Sequence, residues 1–206
     1  MIMKIKMKQK NVIKFIRAHA VVRPKDLVVQ GLPRAALYQL EQDRVVRRIG
    51  RGLYQWFEQK NISQWQSLLE VQKLAPKGVI CLQSALVFHE MGTQNPHDVW
   101  LAIEEKAWQP KINYPVMRFM RMSGLAFTEG VEIHKIDGVD LKVFSAAKTV
   151  ADCFKFRNKV GLDVAIEALK EGWRNKKFTI DELNHFAEIC RVHNVIRPYV
   201  EAIIAD

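Results

Sequence analysis

Leu32-Pro33-Arg34-Ala35-Ala36-Leu37-Tyr38-Gln39-Leu40-Glu41-Gln42-Asp43-Arg44 runs directly into Val45-Val46-Arg47-Arg48-Ile49-Gly50-Arg51-Gly52-Leu53-Tyr54-Gln55-Trp56, and the reading of this stretch decides the fold. Its periodicity changes halfway. Ala36, Leu37 and Leu40 recur at helical spacing, and Pro33 suits a first turn, where no amide donor is needed. From Val45 onward two short β-branched and aromatic runs flank a Gly-Arg-Gly tip, which predicts a β-hairpin.

Upstream, residues 9–20 predict a helix with Val12, Phe15, Ile16 and His19 on one face. Val22-Arg23-Pro24 breaks it, and Pro24 opens a second short helix that buries Leu27 and Val28 and ends at Gly31. Three helices followed by a hairpin is the element order of a winged helix-turn-helix, with the hairpin as the wing. Residues 57–62 are polar and read as a hinge. Ser63 and Gln66 have the spacing of a capping box ahead of a helix carrying Trp65, Leu68, Leu69 and Leu74, which ends near Pro76.

Farther along, Ser84–Met91 suits a short helix, and Val99–Ile103, Val116–Met122, Val131–Ile136 and Val139–Phe144 suit strands. Asp137-Gly138 predicts a tight turn between the last two, because both residues tolerate positive φ. From Ser145 the chain turns helical. Ala147, Val150, Ala151 and Phe154 form one stripe, and Leu162, Ala165, Ile166 and Leu169 form the next. Thr179 and Glu182 make a capping box ahead of Leu183, Phe186, Ala187 and Cys190. A last short helix holds Val200 and Ile203. The expected class is α+β: a winged helix-turn-helix over residues 1–60, then a mixed α/β domain over 61–206, with strands in about 97–144 and helices in about 145–204.

Charge is distributed unevenly between these parts. Residues 1–60 hold 14 Lys/Arg against four Asp/Glu, which accounts for the entire net charge of +10, and the remainder is balanced. Such an asymmetry marks a polyanion-binding module, attracted to phosphates in a salt-dependent way. The start, Met1-Ile2-Met3-Lys4-Ile5-Lys6-Met7-Lys8, has no continuous apolar run, so it reads as a basic arm or a frayed terminus and not as a secretory signal. No apolar run reaches the ~18 residues of a membrane span. Cys81, Cys153 and Cys190 are scattered and odd in number, which fits buried thiols in a reducing cytoplasm better than a disulfide framework.

On the third helix, Arg34 is placed to fork onto a guanine, Gln39 to pair with an adenine, and Tyr38 and Gln42 to contact phosphate or a base. Arg44, Arg47, Arg48 and Arg51 cluster around the hairpin, where guanidinium groups suit phosphates and a narrow minor groove. Catalytic signatures are sparse. Pro96-His97-Asp98 ahead of Glu104-Glu105-Lys106 echoes the Pro-Asp…Glu-x-Lys pattern of a nuclease family. The alternative reading is therefore a metal-dependent nuclease using Asp98, Glu104 and Lys106. His185, Cys190 and His193 share a predicted helix but lack a second ligand pair, so no metal and no cofactor is expected. Hydrolase, phosphate-loop and dinucleotide motifs are missing, and the chain reads as a non-enzyme.

The helix-to-wing segment Arg44–Tyr54 resembles that of AbiEi-type antitoxins. The stretches Val143-Phe144-Ser145-Ala146-Ala147-Lys148-Thr149-Val150-Ala151-Asp152-Cys153-Phe154 and Gly161-Leu162-Asp163-Val164-Ala165-Ile166-Glu167-Ala168-Leu169 are similar to that family's second domain. The resemblance implies the antitoxin of a type IV toxin–antitoxin pair. Its amino-terminal domain would repress its own operon by binding operator duplex DNA, with room for a homo-oligomer there. The second domain would counter a nucleotidyltransferase-like toxin without requiring a stable complex. Lys148, Asp152, Lys155 and Arg157 are the candidates for antitoxicity, beside the plainer reading of an i/i+4 ion pair. Two positions depart from the family. Leu32-Pro33 stands where Ser or Thr precedes the third helix, and Asp43-Arg44 stands where the following turn carries Gly.

Overall fold

The computed structural model describes residues 2–57, 63–110 and 115–205, and the class is α+β. The chain divides into two compact units. One comprises residues 1–76 with 134–141, and the other comprises 77–133 with 142–206.

In the first unit, α1 (Ile2–Arg17), α2 (Pro24–Val29) and α3 (Ala35–Gln42) precede the antiparallel strands β1 (Val46–Gly50) and β2 (Leu53–Trp56). Val12, Ile16, Val22, Leu27, Leu37, Leu40 and Val46 form one buried cluster, against which Tyr54 and Trp56 pack. α1 runs farther toward the amino terminus than the apolar periodicity indicates, and it stops at Arg17. His19 therefore lies beyond the helix, where its Nδ1 lies 2.7 Å from the Phe15 carbonyl. Pro24 opens α2 as expected. Pro33 sits before α3 and Arg34 takes the N-cap, so the helix starts slightly later than expected.

α4 (Gln66–Leu74) belongs to this first unit, so the compact unit ends at Pro76, past the expected boundary near residue 60; residues 58–62 lie outside the described residues. Lys73 Nζ contacts Asp26 Oδ2 at 2.8 Å, and Arg23 Nη1 donates to the Lys73 carbonyl. The same Asp26 oxygen accepts the Arg23 amide at 2.9 Å, which satisfies a free donor at the start of α2. The expected Ser63–Gln66 capping box does not form. Trp65 is the N-cap, Ser63 Oγ accepts only the Trp65 amide, and the Gln66 side chain turns to Glu70. The tip of the next hairpin also belongs here: the Ala20 amide donates to the Asp137 carbonyl at 2.9 Å.

The five-stranded sheet has the order β5-β4-β3-β7-β6. Its strands are β3 (Val79–Ile80), β4 (Val99–Glu104), β5 (Met117–Met122), β6 (Val131–Ile136) and β7 (Val139–Phe144). β3 pairs antiparallel with β4 and parallel with β7, and β4 pairs parallel with β5. Asp137 and Gly138 both take positive φ, as the turn requires. α5 (Leu82–Phe88) and α6 (Leu125–Thr128) lie between strands. α7 (Ala146–Lys155), α8 (Arg157–Val160), α9 (Leu162–Arg174), α10 (Ile180–Ile189) and α11 (His193–Ala205) follow. Ser145 caps α7 by accepting the Lys148 amide, and Thr179 with Glu182 forms the expected capping box on α10. α11, at 13 residues, is longer than expected. A single apolar cluster joins α5, α7, α9, α10 and α11 to the sheet through residues such as Leu86, Phe144, Phe154, Leu169 and Leu183.

Candidate nucleic-acid interface

Arg34, Tyr38 and Gln42 follow one another at i, i+4 and i+8, so they share a face of α3. Burial of Leu37 and Leu40 in the core turns that face outward. All three side chains are exposed, Tyr38 to 67%. Among the described residues none of the three makes a side-chain hydrogen bond or ion pair. Gln39 is also exposed, but its Nε2 donates to Asp43 Oδ1 at 3.1 Å.

Arg44 ends the helix in an unusual way. Its φ is +56°, its amide donates to the Glu41 carbonyl, and the Val45 amide donates to the Leu40 carbonyl. These two bonds define a Schellman cap with arginine at the left-handed position that glycine normally takes. Gly31, at φ +67°, fills the equivalent place after α2. The departure from glycine noted in the sequence is therefore met by strain of about 1–2 kcal/mol, not by a change of turn.

The hairpin arginines divide by role. Arg51 is exposed at the tip, beside Gly52, whose φ of +70° needs glycine and whose missing side chain leaves open space. Arg48 is exposed, and its Nε donates to the Gly50 carbonyl at 3.2 Å. Arg47, expected to face a phosphate, is exposed as well, and it also makes a cross-strand contact. Its Nε and Nη2 donate to Gln55 Oε1 at 3.1 and 2.8 Å, across a directly paired register position. Gln55 is only 2% exposed. Alternation along the strand puts this pair on the face opposite Tyr54 and Trp56. Glu70 of α4 is also buried. Desolvation pushes its carboxyl above the usual range, against the pull of its Gln66 hydrogen bond and the Arg47 charge. No residue pattern announced this role for Arg47, since an arginine in a basic hairpin looks the same whether it braces or binds.

In the second unit, Lys148 and Asp152 lie inside the core. Lys148 Nζ meets Asp152 Oδ2 at 2.5 Å, and both side chains are 0% exposed. The Cys190 thiol donates to Asp152 Oδ1 at 3.2 Å, and the lysine ammonium stands 4.3 Å from the Phe144 ring centroid. Burial pushes the Asp152 carboxyl up, while the Lys148 ammonium and the Cys190 thiol pull it back. The i/i+4 pair is real, but its burial removes both residues from any contact surface. Of the four antitoxicity candidates, only Lys155 is exposed; Arg157 is half-buried and donates to the Phe154 carbonyl at 2.8 Å. The three cysteines are free and buried. Desolvation, followed by the Asp152 charge, raises all three thiols, Cys190 to about 12. Thiols so shielded are unreactive.

The nuclease constellation does not assemble. Asp98 precedes β4 and Glu104 ends it, so about 20 Å of strand separates them, far beyond a shared cation. Asp98 is engaged by Arg118 Nε at 2.7 Å. Lys106 is exposed. Among the described residues no group of three His, Cys, Asp or Glu could hold a metal ion. His185 contacts Glu129 at 3.5 Å, and Cys190 is held by Asp152. Nor is any helix among them long and apolar enough to cross a membrane.

No family model matches the chain, and no curated protein matches it.

Proposed function

We propose that the chain is a DNA-binding regulator whose first unit acts as a winged helix-turn-helix. α3 enters the major groove with Arg34 leading, and the hairpin tip with Arg51 follows the backbone beside it. The observation that carries this reading is the outward stripe of Arg34, Tyr38 and Gln42, unpaired among the described residues, on a unit whose first 60 residues hold the chain's whole positive excess. Arg44 and Arg48 extend it toward the wing. Phosphate contacts supply affinity, and Arg34 and Gln42 supply discrimination at base edges.

The resemblance to AbiEi-type antitoxins extends the proposal. The chain represses its own operon in the cytoplasm and counters a nucleotidyltransferase-like toxin through its second unit. With Lys148 and Asp152 buried, Lys155 and its neighbours carry the surface part of that role. Gel-shift titration against the upstream promoter and against random duplex tests the DNA reading, which predicts a clear preference for the promoter. Equal affinity for both would refute it. Co-expression with the neighbouring gene product tests the antitoxin reading: growth rescued by the chain supports it, and undiminished toxicity rejects it.

A further inference from the structure

α1 carries a charged surface to which neither α3 nor the hairpin lays claim. Lys10, Lys14 and Arg17 follow at spacings of four and three, so they share one side of the helix. All three are exposed, and Val12 and Ile16 on the other side are fully buried. The core therefore fixes the direction in which the stripe points. No acidic residue occurs anywhere before Asp26, so the stripe is not neutralised by neighbours along the chain. Among the described residues, neither lysine has a side-chain hydrogen bond or ion pair. The stripe ends on the hairpin, where the Arg17 guanidinium lies 4.3 Å from the centroid of the Trp56 ring. That contact makes the α1 cations continuous with strand β2 of the proposed wing. Along the helix axis the three residues are spaced by roughly 6 and 4.5 Å. A duplex strand presents one phosphate per ~3.4 Å, so the helix offers cations on the scale of successive phosphates.

We propose that Lys10, Lys14 and Arg17 form a second phosphate-binding surface for duplex DNA, which lengthens the footprint beyond α3 and the hairpin tip. The proposal rests on the DNA-binding reading above and adds a backbone contact that carries no sequence information. Duplex DNA is favoured over an anionic membrane because, over residues 10–17, the stripe has no flanking exposed apolar side chain: Val12 and Ile16 are buried, and Ile13 and Phe15 pack against the same core.

The test is a salt titration of the full chain with promoter and random duplex, comparing wild type with Lys10→Gln/Lys14→Gln. Losing two phosphate contacts should lower the slope of log affinity against log salt by about 1.8. Promoter and random duplex should weaken by the same factor, so that discrimination is unchanged. Lys10→Arg/Lys14→Arg should keep the wild-type slope, which separates lost charge from disturbed folding. A wild-type slope in the glutamine variant overturns this inference and leaves the α3 reading intact. Loss of promoter preference in that variant also overturns it, because backbone contacts do not read bases. Failure of the wild type to bind either duplex, including a case where it binds phosphatidylserine vesicles instead, overturns both.

Discussion

α3 and α7 both place polar side chains four residues apart, and the two helices use them in opposite ways. On α3, Arg34, Tyr38 and Gln42 face outward over a core of Leu37 and Leu40. On α7, Lys148 and Asp152 face inward among Phe144, Phe154 and Leu183, and nine consecutive residues of that helix, Ala146–Phe154, are buried. Spacing sets which residues share a face, whereas the number of neighbouring layers sets whether that face meets water. α3 has one packed side. α7 is central to its unit, covered by α5, α9, α10 and α11.

The strongest way to break this comparison is Asp152→Ala. An ammonium left buried without its partner should cost about 3–5 kcal/mol in chemical denaturation, while Lys148→Met/Asp152→Leu should recover most of that loss. A cost below ~1 kcal/mol, the range of exposed pairs, would mean that the pair is solvated after all. Next in size, Arg34→Ala should lose about 1–3 kcal/mol of discrimination at one base pair, measured on a panel of mutated operators, with thermal stability unchanged. Uniform weakening across the panel would reassign Arg34 to the phosphates.

Arg44→Gly sharpens the contrast because its two effects have opposite signs. Relief of the left-handed arginine should raise stability by about 1 kcal/mol, while DNA affinity falls for every sequence. Unchanged affinity would remove Arg44 from the interface. The smallest effect concerns Glu70. Burial raises its folded-state carboxyl above the unfolded value, so the native chain holds that proton more tightly. Its contribution is fully present below the usual carboxylate range and is lost as pH climbs through the raised value. Urea midpoints across that window should therefore decline with pH in the wild type and decline less in Glu70→Gln. Parallel curves would show that Glu70 does not differ from a solvated carboxylate.

Much of this was legible in the residues, and the gaps have physical causes. Strand β4 follows from a short continuous apolar run, β7 from alternation, and the Asp137-Gly138 turn from turn chemistry, all of them local. β3 was not found because two residues, Val79 and Ile80, carry no period; the strand exists because β4 and β7 flank it. Ser63 and Gln66 have the spacing of a cap, but Gln66 serves Glu70 instead. The allegiance of α4 to the first unit depends on Lys73 reaching Asp26, 47 residues back, which no window of sequence reveals. For the candidate site, exposure of the α3 stripe was readable from amphipathicity. The Arg47–Gln55 bond depends on strand register, and the interment of Lys148 depends on the helices packed around α7, so neither was readable there.

The Asp137 carbonyl that receives the Ala20 amide has a consequence for how the protein is made. The unit proposed to grip DNA is not a contiguous stretch of chain: its last piece, residues 134–141, is translated only after residues 77–133 of the second unit. Domains ordinarily assemble in order of synthesis. Here the leading segment must wait for a later one before its final contact closes. A nascent chain arrested before residue 134 would hold an incomplete first unit, and the proposed DNA binding would become available only once residues 77–133 of the second unit had also been produced.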